Sequence, residues 1–144
     1  HTKEKSLYSR KVGIVGFGSI GSTIARMLSG FNCEVIGFTK SGRDKTKNIS
    51  ELDSYLPNLD VIILILPLTS ESRKLFDARR LSLLKDGALL VNVARGLIVD
   101  TEALLNELNS KRIYAALDVT DPEPLPEDHP LWKVSNVFIK MRIY

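Results

Sequence analysis

Three glycines set the first constraint on this chain. Gly16, Gly18 and Gly21 follow a short β-branched run, Val12 to Val15, and accompany Ile20, Ile24, Met27 and Leu28, which recur at helical spacing as far as Gly30. That succession reads as a strand, a tight turn and a helix, with Gly30 as the helix stop. The alternation then continues. Glu34 to Phe38 reads as a second strand, followed by a polar stretch from Thr39 to Asn48 and a short helix capped by Ser50 and reaching about Leu56. Val61 to Leu66 is an unbroken apolar run ended by Pro67, as expected of a parallel strand covered on both faces. After a loop from Pro67 to Ser70 come helical segments at 72–76 and 78–84, then a fourth strand from Ala88 to Val93. Asp100 caps a further helix with Leu104, Leu105 and Leu108 inward, and Ile113 to Val119 and Val137 to Ile139 supply a fifth and a sixth strand.

Strands alternating with helices imply an α/β domain with right-handed crossovers, a doubly wound, open parallel sheet. Such sheets bind ligands beyond the carboxyl ends of their strands, where the strand order reverses. In this topology the fourth strand is expected beside the first, so that its end faces the glycine turn. The 144 residues suffice for one domain, and no repeat or Gly/Ser/Pro-rich linker divides them. Hydrophobic residues at 44% and charged residues at 26% exclude disordered, collagenous and coiled-coil classes. A membrane span needs about 20 apolar residues, which no segment provides, and no charged-then-apolar leader opens the chain. A soluble, cytoplasmic protein is expected. Cys33 has no internal disulfide partner, and with His1 and His129 the only histidines, no metal-ligand spacing exists. Residues 1–50 carry nine basic against three acidic side chains, while residues 51–144 carry eleven against fourteen. The basic excess suits an anionic ligand held in the first third, although a solvated basic face has the same signature.

The glycine spacing G-x-G-x-x-G, set between a strand and a helix, is that of a Rossmann-type dinucleotide turn. Gly16 permits the turn, Gly18 lets the backbone approach a pyrophosphate, Gly21 lets helix and strand pack, and the helix N-terminus offers N–H groups to phosphates. The usual companion is an acid about 20 residues on that binds the adenosine ribose of NAD. It is missing: Glu34 comes too early, and the second strand ends in Thr39-Lys40-Ser41-Gly42-Arg43. Hydroxyls of Thr39 and Ser41 beside the cations Lys40 and Arg43 suit a 2′-phosphate better than a bare ribose, the alternative being a solvated loop. NADP(H) is therefore expected in preference to NAD(H), with NAD(H) as the other cofactor admitted. Arg95 ends the fourth strand and reads equally as a grip for a carboxylate or as an arginine emerging into solvent. Asp118 closes the fifth strand, and Glu123 lies in the proline-rich segment 121–126, where φ is restricted. By themselves such acids read as exposed.

Four ordered stretches make this chain resemble the D-isomer-specific 2-hydroxyacid dehydrogenases. They are Gly13 to Gly21, Leu66-Pro67-Leu68-Thr69, Val91 to Gly96 with Asp100, and Ala116-Leu117-Asp118-Val119 through Pro124-Leu125-Pro126 to His129-Pro130-Leu131-Trp132. The resemblance covers the nucleotide-binding domain alone, residues 1–144, and implies that the family's substrate domain is absent from this chain. Asp118-Val119-Thr120 with Pro122-Glu123-Pro124 is closest to the glyoxylate and hydroxypyruvate reductase branch. The resemblance assigns Arg95 to the substrate carboxylate and Glu123 to the acid that hydrogen-bonds the catalytic histidine. It also assigns Asp118 to the nicotinamide carboxamide, and Ser19, Ile20, Leu66, Pro67, Ser72, Val93 and Ala94 to the cofactor. A homodimer acting on a small 2-keto acid is implied, with neither nucleic acid nor membrane as a partner.

The chain departs from the family at its end. Where the family has a Thr/Ser-Pro-His segment after the sixth strand, this chain reads Lys140-Met141-Arg142, so that Arg142 takes the histidine's place. Arginine stays charged and cannot donate a proton during turnover, and His129 matches a non-catalytic histidine of the family. The 144 residues alone are accordingly expected to be inactive. The alternative is a non-catalytic dinucleotide-sensing dimerisation module resembling the C-terminal-binding corepressors.

Overall fold

The computed structural model describes residues 9–43 and 45–140; His1, Met141 and Arg142 lie outside them. The β-branched run becomes β1 (Lys11–Val15), the glycine turn leads into α1 (Gly18–Ser29), and the next apolar segment becomes β2 (Glu34–Thr39). A two-residue strand β3 (Lys47–Asn48) precedes a 3-10 turn and the short α2 (Leu52–Tyr55). Then follow β4 (Val61–Leu64), α3 (Ala78–Leu83), β5 (Leu89–Asn92), α4 (Thr101–Asn109), β6 (Tyr114–Leu117) and β7 (Val137–Ile139). All seven strands are parallel, in the order β3-β2-β1-β4-β5-β6-β7. This is the doubly wound sheet expected from the alternation of elements.

Three local expectations are corrected. The strand from Ala88 does not lie beside the first: β4 stands between β1 and β5. The reason is β3, a polar edge strand that pairs with Phe38 and Thr39 and takes the third position, leaving the centre to β4. Asn48, not Ser50, caps the turn before α2. Its side chain accepts from the Ser50 N–H while Glu51 reaches back to the Asn48 N–H, which makes a complete capping box. No helix forms at 72–76, because the Ser72 hydroxyl closes a turn by donating to the Pro67 carbonyl and accepting from the Thr69 N–H, both at 2.7 Å.

Register decides what each face of the sheet covers. Val15, Phe38, Leu64, Asn92 and Leu117 fall in one row on the face that packs against α2, α3 and α4. Phe38, Leu52, Leu56, Leu64, Leu81, Leu90 and Leu108 are completely buried there. The other face is thinner. Val12 and Ile14 are buried, yet Tyr114 and Phe138 are exposed, and of α1 only Gly21 is buried. Ile24 and Leu28 are half-buried, whereas Ile20 and Met27 face outward.

At the amino edge of the sheet, Asp60 ties three segments together. Its carboxylate accepts the Lys11 N–H at 2.8 Å, pairs with Lys85 and lies 3.7 Å from Arg10, with its side chain only 13% exposed. Burial pulls this carboxyl upward, but the Lys11 N–H and the Lys85 and Arg10 charges together outweigh it and hold it below the ordinary carboxylate range. Asp53 is held low in the same way by Arg79 and Arg80 against the opposing effect of burial. A carboxylate with a depressed folded pKa contributes stability above its unfolded pKa and loses that contribution as pH falls through the folded value. Stability should thus decline as pH drops below about 4. At neutral pH, Asp60→Asn should cost about 1–3 kcal/mol, and the gap to the parent chain should close in acid, as read by urea unfolding at pH 7 and pH 3.

Candidate functional site

The carboxyl ends of β1, β2 and β4 enclose a cleft of about 710 Å³, within the range of small-molecule and cofactor sites. It opens where the strand order reverses between β1 and β4. Gly16 forms its floor, at φ +84°, with its N–H bonded to the Phe38 carbonyl at 2.7 Å. A Cβ there would meet the Cβ and backbone of Leu66 at 2.6–2.8 Å, so no side chain fits. Gly18 differs: its φ is +44°, but a Cβ would find no atom within 4 Å, because this side of the turn fronts the open cleft. The α1 N-terminus has no side-chain cap and no acid in its first turn. Its leading N–H groups, around Ser19 and Ile20, therefore remain to be satisfied by solvent or an anion. An open approach at Gly18, an uncapped helix end and a cleft of this size fit a dinucleotide.

Of the residues that the sequence reading assigns to a cofactor, Gly16, Gly18, Ser19, Ile20, Thr39, Lys40, Leu66, Pro67 and Ser72 line this cleft. Gly21 acts from beneath, packed on Phe17 and Ile65. Ser41 and Arg43 are exposed beyond the cleft lining. Thr39 has a different job from the one anticipated. Its hydroxyl accepts the Gly42 N–H at 2.9 Å and lies 2.8 Å from the Thr46 hydroxyl, which itself donates to the Arg43 carbonyl. Thr39 must then donate to Thr46, so it shapes the turn and keeps no proton for a phosphate. Asn48 closes the same loop by donating to the Lys40 carbonyl at 2.8 Å.

Val93, Ala94, Arg95, Asp118 and Glu123 lie apart from that cleft, on the loops after β5 and β6. Buried Asn92 shapes the first loop: its side chain donates to the Arg95 carbonyl at 2.9 Å and accepts the Ala94 N–H at 3.1 Å. The exposed Arg95 guanidinium donates to the Ala94 carbonyl at 3.0 Å. Glu123 accepts the Thr120 N–H at 3.1 Å, and Asp118 lies 3.6 Å from the Lys140 ammonium. The two loops touch at Gly96, where a Cβ would meet the Thr120 carbonyl at 2.0 Å. Thr101 adds a hydrogen bond of 3.0 Å to the Asp121 carbonyl. His129 is used as a cap, its Nδ1 accepting the Leu131 N–H at 3.1 Å.

Sequence reasoning passed over Gly37, Asn48, Glu71 and Asn92. An asparagine within an apolar strand end was a usable signal for Asn92. Gly37 had none, since its need arises from the Phe17 ring 2.4 Å from where its Cβ would stand. Glu71 lines the cleft and meets Lys40 across it at 2.6 Å.

The family model described as "D-isomer specific 2-hydroxyacid dehydrogenase, NAD binding domain" matches residues 1–141. The chain belongs to this family. Glyoxylate reductase of Thermofilum pendens is 38% identical over 144 residues, spanning 95% of this chain and 42% of that protein. Phosphoglycerate dehydrogenase from Lactobacillus plantarum superposes with a TM-score of 0.92 at 34% identity, over 96% of this chain and 47% of that one. A D-isomer specific 2-hydroxyacid dehydrogenase from Xanthobacter autotrophicus, solved with NADPH and MES, superposes with a TM-score of 0.88. It is 34% identical, with 97% of this chain and 47% of that one covered. The chain thus spans less than half the length of these relatives. Its parallel sheet is the fold of these dehydrogenase structures.

The two glycines of the turn should separate stability from binding. Gly16→Ala should cost about 2–4 kcal/mol, from the positive φ and the overlap with Leu66. Gly18→Ala should cost only about 1–2 kcal/mol but should weaken dinucleotide binding, since the added methyl enters the cleft. Thermal unfolding and NAD(P)H fluorescence titration of both variants would test this.

Proposed function

We propose that residues 1–144 are one NAD(P)-binding domain, belonging to a reductase that takes NADPH in preference to NADH and acts on a small 2-keto acid of the glyoxylate or hydroxypyruvate type. The observation that carries the cofactor choice is the end of β2, where the strand itself ends in Thr39 rather than in an acid and Lys40 borders the cleft. A carboxylate there would repel a 2′-phosphate, and its absence removes that barrier. Lys40, Arg43 and the Ser41 hydroxyl supply the donors, on a turn held in shape by Thr39 and Asn48. The NADPH-bound relative from Xanthobacter supports this choice. The substrate class rests on the relatives named glyoxylate reductase and on the Arg95 and Glu123 loops.

When bound, the nicotinamide supplies a hydride to the keto carbon. In this reading Arg95 holds the substrate carboxylate, its backbone fixed by Asn92 so that the guanidinium is presented outward. Glu123, steadied by the Thr120 N–H, orients a histidine that donates the proton. His129 is not that histidine, because it caps its own turn. In this reading the proton donor and the substrate-binding domain come from outside the described residues. No helix among the described residues is long and apolar enough to cross a membrane, and a cytoplasmic homodimer is part of the proposal. The similar proteins described above are reductases and dehydrogenases, so the dimerisation-sensor alternative gains nothing from them.

Titration of the purified chain should give tighter binding of NADPH than of NADH by about 10- to 100-fold, the contribution of charged contacts on an exposed loop after salt screening. Thr39→Asp should reverse the order, and equal or tighter binding of NADH by the parent chain would refute the preference. Turnover of glyoxylate or hydroxypyruvate should be absent. In an active full-length enzyme, Arg95→Ala should lower kcat/KM by the equivalent of about 2–5 kcal/mol with dinucleotide affinity unchanged.

A further inference from the structure

Resting on the NADPH reading above, we propose that Glu71 is a specificity-determining residue that restrains the preference for a 2′-phosphate by competing for Lys40. Lys40 follows β2 on one wall of the cleft and Glu71 lies in the turn after β4 on the other. Thirty-one positions separate them in sequence, yet Lys40 Nζ meets Glu71 Oε1 at 2.6 Å. The side chains are 81% and 70% exposed, so packing does not force them together. They meet because the ends of β2 and β4 flank β1 at the strand reversal, and the pair crosses the mouth of the cleft.

The consequence concerns only the phosphorylated cofactor. A 2′-phosphate at the end of β2 draws on the Lys40 ammonium that Glu71 already holds, so part of the new contact replaces an old one. A ribose bearing a free hydroxyl asks nothing of that ammonium. Glu71 therefore subtracts from NADPH affinity and leaves NADH affinity alone. An exposed ion pair of this kind corresponds to an effect of about two- to five-fold.

Direct repulsion between Glu71 and the phosphate acts in the same direction but does not require Lys40. A double-mutant cycle separates the two. The parent chain, Glu71→Gln, Lys40→Ala and the double variant would each be titrated with NADPH and with NADH, with thermal melting to verify that these exposed substitutions leave the fold intact. Glu71→Gln should tighten NADPH about two- to five-fold and leave NADH unchanged, and the gain should vanish in the Lys40→Ala background. No gain, or a gain that persists without Lys40, would overturn the proposal. Weaker NADH binding by Glu71→Gln would also overturn it, because Glu71 would then be accepting the ribose hydroxyl. The preference itself is read from the parent chain's ratio of affinities, and the role of Glu71 from the change in that ratio, so either can fail while the other stands. A chain that binds neither cofactor overturns both.

Discussion

The seat of Gly16 on Leu66 joins the end of β1 to the end of β4, and the cleft is built outward from that contact. These two strands lie side by side at the point where the chain turns in opposite directions, through α1 toward β2 and through residues 66–76 toward β5. A side chain at position 16 would meet Leu66 backbone rather than a flexible tip, so relief would require moving a strand end. The Phe17 ring extends the same arrangement, lying against Gly21 on one side and Gly37 on the other. Glycines in the turn after β1, on α1 and on β2 thus let one aromatic ring and one leucine bring β1, β2, β4 and α1 close together. The uncapped helix end, at Gly18, Ser19 and Ile20, borders the cleft.

How much of this was legible follows from the range over which each signal acts. The central strands announced themselves, since β4 is an unbroken apolar run and that of β5 is interrupted only at Asn92. β3 did not, because a two-residue edge strand of Lys47 and Asn48 is held by backbone pairing with Phe38 and Thr39 and needs no apolar side chain. Without β3 the strand count is one short, and the strand from Ala88 falls beside β1 instead of β4. The cap at Asn48 was readable in principle: Glu51 stands three residues on, whereas Ser50 has Asp53 at that spacing. The turn at Ser72 was harder, because a serine hydroxyl bonded to two backbone groups undoes a helical pattern that the apolar spacing by itself supports.

The site divides along the same line. The glycine turn is local and was legible down to the individual residue. The exclusion at Gly37, the contact of Gly96 with Thr120 and the pairing of Lys40 with Glu71 each join residues far apart in sequence, and only the packed sheet brings them together. Thr39 shows the opposite error. It ends β2, as the spacing from the glycine turn implies, but its proton is taken by Thr46, seven residues on, inside a turn whose hydrogen bonds no spacing rule discloses.

The two ends of the carboxyl edge are prepared in the same physical way. On the cofactor side, Thr39, Asn48 and Ser72 place their polar atoms against loop backbone, so these loops hold their shape without a ligand and leave the longer charged side chains at the rim. On the β5–β6 side, Asn92 does this for the loop that carries Arg95, and the Thr120 N–H steadies Glu123. Gly96 and Thr101 then couple the two loops, so that Arg95 and Glu123 are held to one scaffold. Loops ordered in advance lose little further freedom when a ligand arrives, and this keeps binding from being consumed by ordering. Under the proposed function the work is divided: short polar side chains fix the backbone, and the long cations Arg43, Arg95 and, in exchange for its pairing with Glu71, Lys40 meet the anionic groups of cofactor and substrate.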